Sequence, residues 1–321
     1  MKYNIFSIII NISLAIPCIV PLSIYSQNHL EAYNNIEQLL KKTDSHSFKD
    51  AVLIVENCYL GSSIRKENFD GATRFIKNII ESKSKTNIYD GYSLKDSSKI
   101  KMYNAVFNTF TDTTRLKLKD DTMYFTPFRY NFEDMFGEKD WSNMFVTKLL
   151  ATHKGNCHSM PYLYKILCDE LGIPCHLALA PNHIYIKHRS EKVGWYNTEL
   201  TSGSFPIDAW IMASGYIPLE AIQNGIYMDA LDDKKCITLC VYDLAKGFDR
   251  KYPDNDGTFI IKCCDLALEH FPNFINAMIL KAETRKRQFE RLMKAIHIVP
   301  KFFTFFLLPK FFGCADIFCL H

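Results

Sequence analysis

Apolar positions recur at helical spacing through the first third of the chain. In FDGATRFIKNIIESKSK, residues 69–85, Ala72, Phe75, Ile76 and Ile79 fall three or four apart and would line one face of a helix. NHLEAYNNIEQLLKKT and FKDAVLIVENCYL repeat that pattern between polar breaks, so residues 27–120 read as a helical N-terminal subdomain. The period shortens within residues 121–215. There CHLALAP and HIYIKH have strand propensity, and GWYNTEL, after the short connection RSEKVG, reads as the returning strand of a hairpin. From residue 216 to 296 helical spacing returns, with YPDNDG and HFPNF as proline-containing turns between amphipathic runs. These patterns make the chain α+β, a mixed core flanked by helical regions.

One stretch concentrates candidate chemistry. The helix predicted over Cys157 to Leu171 stops at Gly172, before Pro174, and tolerates Pro161 only in its first turn. Cys157 therefore belongs at or just before the helix start, where the partial positive charge of the helix favours a thiolate. Cys168, deeper in the helix, reads as a packing residue. In HIYIKH, alternation sets His183, Tyr185 and Lys187 on one face and Ile184 and Ile186 on the other. With the isoleucines toward the core, His183 faces a cleft or solvent.

On the returning strand Trp195, Asn197 and Glu199 share a face, and the register that would bring one of them to His183 is not fixed by sequence. Asn197 and Glu199 are both candidates for a third member. The set suits nucleophilic catalysis: a thiolate attacks a carbonyl, an imidazolium protonates the leaving group, and an amide or carboxylate orients the ring. Main-chain N–H groups around Cys157 and His158 are candidates for an oxyanion hole. His158, His176 and His188 read as bystanders.

Charge and composition narrow the field. With 38 basic and 35 acidic residues the net charge is +3, too small a field to mark a nucleic-acid partner. The eleven cysteines show no framework spacing, and Cys236, Cys240, Cys263 and Cys264 fall in amphipathic runs as small apolar residues. No metal motif, phosphate-cradling glycine loop or dinucleotide signature occurs, so no cofactor is expected. Residues 1–26 carry Lys2 and then an apolar run to Ile24, the pattern of a signal peptide, with an uncleaved anchor as its rival. The expected location is secreted or periplasmic, at the cell envelope. The aromatic tail, residues 297–321, has no assigned role; it and the N-terminal segment are the candidates for membrane contact.

GNC opening a helix, LCDELGIPCHLAL after it, PNHIYIKH as the next strand and GWYNTELTSG as its partner resemble the core of the transglutaminase-like superfamily. FRYNFEDMFGEKDWSNMFVTKLLATHKGN and APNHIYIKH are most similar to a bacterial branch in which the catalytic cysteine is often missing; this chain keeps it at Cys157. The resemblance covers roughly residues 121–205 and implies a papain-related core, a helix packed on an antiparallel sheet, with Cys, His and Asp on the helix and two successive strands. The family commonly has an Asp four residues after a Trp; here Glu199 stands four after Trp195, which favours Glu199 over Asn197. The implied function is a cysteine enzyme for acyl transfer or hydrolysis at peptide or protein amide bonds, of protease or amidase type. The relatives without the cysteine imply the alternative, a non-catalytic binding module at the cell envelope. Residues 216–296 contain a helix, turn, helix alternation that resembles one degenerate tetratricopeptide-like unit.

Overall fold

The helical stripes of the sequence find their partners on both sides of a small sheet. The structure is a computed structural model that describes residues 19–42, 47–85, 94–118 and 121–295. Most of the anticipated export segment, residues 1–18, and the whole aromatic tail lie outside the described residues. Residues 19–26 belong to the first helix, and no helix of the described residues is long and apolar enough to cross a membrane.

Four helices come first: α1 (Ile19–Lys41), α2 (Phe48–Tyr59), α3 (Lys66–Ser84) and α4 (Leu94–Thr111). Ser47 starts α2 by accepting the Asp50 N–H on its side chain. On α3 the buried set is Phe69, Thr73, Ile76, Ile79 and Ile80, while Phe75 is 49% exposed. The stripe is thus rotated from the sequence reading toward Thr73, whose hydroxyl bonds Glu170 at 2.8 Å and accepts from Lys49, so burial leaves it satisfied.

The antiparallel hairpin β1 (Thr114–Leu118) and β2 (Asp121–Phe125) follows, then β3 (Arg129–Tyr130), which pairs in parallel with β4 (Lys154–Gly155). Between β3 and β4 lie a short 3-10 turn at Trp141–Met144 and α5 (Val146–Thr152). Helix α6 (Ser159–Glu170) leads to the antiparallel sheet β5 (His176–Ala180), β6 (His183–Ser190) and β7 (Gly194–Thr198), in that order.

Leu177, Leu179 and Ile186 of the sheet join Leu163, Ile166 and Leu167 of α6 in the main core. On the opposite face Ala178, Ala180 and Tyr185 pack against Ile211, Ile217 and Met228 around α7 (Asp208–Gly215) and α8 (Leu219–Gln223). The segment after α8 also closes the β5 edge, Met228 and Leu231 donating their N–H groups to the carbonyls of Leu179 and Leu177. Both faces are therefore covered, and His183, Tyr185 and Lys187 are all buried rather than turned to open solvent. Alternation in the strand indicates which residues share a face; the cover on the polar face comes from residues 20–40 positions downstream.

The chain ends in α9 (Asp233–Lys251), α10 (Thr258–His270) and α11 (Ile275–Ala295). Helices α1 and α2 pack directly on α9, so one apolar cluster runs from Ala32 to Leu280. Cys236, Cys240, Cys263 and Cys264 are fully buried in it, and burial pushes their thiols up, Cys236 and Cys264 to about 12.

Candidate active site

The turn between β4 and α6 is built to present one side chain. A Cβ on Gly155 would come within 2.7 Å of both Leu149 Cδ1 and Ser159 Oγ, so the close approach requires glycine. Asn156 is fully buried; its Oδ1 accepts the N–H groups of His158 and Ser159, each at 3.0 Å, and its Nδ2 donates to the Met135 carbonyl at 2.9 Å. Ser159 Oγ accepts the Asn156 N–H at 3.1 Å and closes the turn. Asn156 thus does the work of a helix cap from three residues before the first helical residue. The helix starts at Ser159, which puts Cys157 just ahead of it and Pro161 at its third position, inside the first turn as the sequence requires.

Cys157 is half-buried, with its sulfur 3.8 Å from the Asn182 carbonyl oxygen and hydrogen-bonded to His183. Asn182 takes a positive φ of 56° in the tight turn between β5 and β6, so His183 arrives as the first residue of β6. Its Nε2 lies 2.5 Å from Glu199 Oε2, which leaves Nδ1 for the thiol. Glu199 sits just past β7 and is itself fixed: its N–H and carbonyl form a two-way bridge with Ser204 at 2.9 and 3.0 Å, and Oε1 accepts the Thr201 N–H at 2.8 Å. Cys157, His183 and Glu199 therefore form one hydrogen-bonded line.

Asn197 lies elsewhere. Register sets it opposite Lys187, and its Nδ2 donates to the Pro206 carbonyl at 2.9 Å and to Asp208 Oδ1 at 2.7 Å, holding the entry to α7. Of the two candidates for a partner to His183, the geometry joins Glu199 and not Asn197.

The electrostatics follow the contacts. Burial opposes a charged His183, but the Glu199 carboxylate and the hydrogen bonds to Cys157 and Glu199 outweigh it and raise the imidazole to about 10. Burial alone would push the Cys157 thiol up; the hydrogen bond and charge of His183 hold it below the ordinary thiol value. Glu199 is likewise held below the ordinary carboxylate value against its burial, by the His183 charge and by hydrogen bonds from His183 and Thr201. All three shifts run toward thiolate, imidazolium and carboxylate in sequence.

The other histidines have other partners. His176 bonds the Leu231 carbonyl at 2.9 Å, and His188 is buried beside the Tyr164 hydroxyl at 3.1 Å. His158 bonds Asp243 and the Met144 carbonyl. Cys168 is buried in the core. One expectation about the oxyanion hole fails: the His158 N–H is taken by Asn156, so the Cys157 N–H is the main-chain donor left for that role. Among the described residues no cluster of His, Cys, Asp and Glu is arranged to hold a metal ion. Sequence reasoning missed Asn156, although an Asn just before a helix start is itself a capping signal.

Fold and site together define an α+β protein whose central helix and sheet bring a cysteine, a histidine and a glutamate into contact. Comparison with known proteins leaves it there: no family model, no curated protein and no solved structure matches the chain.

Proposed function

We propose that the chain is a transglutaminase-like cysteine enzyme with a papain-related core that cleaves or transfers acyl groups at amide bonds of peptides or proteins, hydrolysis being favoured. The observation that carries this reading is the hydrogen-bonded line from Cys157 through His183 to Glu199, with the thiol held low and the imidazole raised. The Cys157 thiolate attacks the carbonyl carbon, and the Cys157 N–H stabilises the developing oxyanion. As the C–N bond breaks, His183 gives its Nδ1 proton to the departing amine, leaving a thioester on Cys157. Neutral His183 then takes a proton from water or an acceptor amine as that group attacks the thioester; the C–S bond breaks and its electron pair returns to sulfur. Glu199 keeps the ring oriented and its positive charge favourable throughout. The apolar pattern of residues 1–26 supports an exported site of action.

Turnover of peptide and isopeptide libraries by the parent and by Cys157→Ala tests the proposal. Turnover in the parent that disappears in Cys157→Ala, with a thioester on Cys157 trapped by rapid acid quench, is the expected result. Ligand binding unchanged by the substitution, with no turnover in either protein, would instead favour a binding module at the cell envelope.

A further inference from the structure

Both ring nitrogens of His158 face acceptors. Nδ1 lies 2.9 Å from the Met144 carbonyl oxygen and Nε2 lies 3.0 Å from Asp243 Oδ1. A neutral imidazole carries one N–H and can satisfy one such partner; an imidazolium satisfies both. Asp243 is fixed in turn, its Oδ2 accepting the Tyr162 hydroxyl at 2.8 Å. The Tyr162 ring lies against the imidazole with centroids 4.0 Å apart, a favourable contact for a cation. This cluster sits immediately behind the nucleophile, because His158 is the residue that follows Cys157.

We propose that His158 is a permanent imidazolium, anchored by Asp243 of α9, and that it acts as a positioning residue whose fixed charge supports the Cys157 thiolate. The proposal rests on the reading of Cys157 as a nucleophile. It assigns the two imidazoles different tasks. His183 must release its proton to the departing amine, so its charge vanishes within each cycle. His158 has both N–H bonds committed and keeps its charge. It therefore stabilises sulfur when His183 is neutral, including the moment when the thioester breaks and the electron pair returns to Cys157. The C-terminal helices gain a role in the site through Asp243, which is 85 residues away in sequence.

The groups around the ring bear this out. Asp243 and Cys240 of α9, Glu56 of α2 and Tyr162 of α6 line one small cavity with His158, and Cys157 acts on the ring from its own turn. Burial opposes charge on His158, but the Asp243 carboxylate and its hydrogen bond raise the imidazole above its ordinary value, with the Met144 carbonyl adding to the effect. Cys240 is kept a neutral thiol by burial. Glu56, pushed up by burial to about 7, is the neighbour whose titration overlaps the range of interest, so the readout must report His158 itself.

The experiment is nitrogen NMR of the full chain labelled at histidine, paired with the pH dependence of iodoacetamide alkylation at Cys157 in the parent and in Asp243→Asn. The parent should show both His158 nitrogens protonated up to about pH 8, beyond the ordinary histidine range. In Asp243→Asn the ring should become neutral, and Cys157 should alkylate roughly three- to tenfold more slowly near pH 6, the effect of half to one pKa unit. A neutral His158 in the parent overturns the proposal, and this measurement needs no variant to fold. A neutral His158 in Asp243→Asn with unchanged Cys157 alkylation also overturns it. If the parent's Cys157 is not a thiolate near pH 6 while His158 is charged, the nucleophile reading fails instead, which separates the two.

Discussion

Glu199 holds His183 with one carboxylate oxygen and the Thr201 N–H with the other, so its charge and its orientation are fixed together. Replacing it by Gln keeps the shape and removes the charge. Glu199→Gln should lower the His183 pKa from about 10 and slow Cys157 alkylation near pH 6 by about tenfold or more, read by mass spectrometry of the labelled peptide. Asn197→Ala should leave the Cys157 titration where it was, because that side chain serves the entry to α7. Asn156→Ala strands the N–H groups of His158 and Ser159 in a buried turn and should cost about 1–3 kcal/mol in urea unfolding. The pH profile of turnover has a defined sign. It rises as the Cys157 thiol ionises, below the ordinary thiol range, and falls as His183 loses its proton toward about 10.

At the scale of elements, β6 carries both the site and a pH-sensitive part of the core. His188 lies on its core side, stacked against Tyr103 of α4 with ring centroids 4.0 Å apart, and burial pushes its imidazole down to about 3. The folded chain keeps His188 neutral while the unfolded chain takes up a proton below about pH 6.5. Its contribution is therefore present above that pH and lost as the pH falls, by ~1.4 kcal/mol per unit. Glu56, raised to about 7, pulls the other way, so the difference in urea stability between the parent and His188→Gln at several pH values isolates the effect. Much of this level was legible in the sequence. Gly172 and Pro161 fixed where α6 could run, and alternation in HIYIKH correctly grouped His183 with Tyr185 and Lys187. What alternation could not convey was the cover of α7 and α8 over that face, because it arises from long-range packing. Alternation also left Asn197 and Glu199 both open, with only the spacing from Trp195 favouring Glu199, because the choice depends on the β6 and β7 register and on the bridge to Ser204 beyond the strand.

Across the whole molecule, the N-terminal helices and α9 share one core around the sheet, and the site draws on both through Glu56 and Asp243. Removing residues 233–295 would uncover the packing faces of α1 and α2; by circular dichroism the full chain should unfold in one cooperative thermal transition and the truncated chain should lose it. Of the thiols in the described residues, Cys157 alone is half-buried, while the others are buried within the structure. That contrast makes the central claim measurable in a single experiment. Iodoacetamide labelling of the native chain near pH 6, mapped by mass spectrometry, should modify Cys157 at least about tenfold faster than any other of these cysteines, and His183→Ala should slow labelling of Cys157 itself by about tenfold or more. Labelling of Cys157 no faster than the rest, or a Cys157 rate unchanged in His183→Ala, would contradict the account.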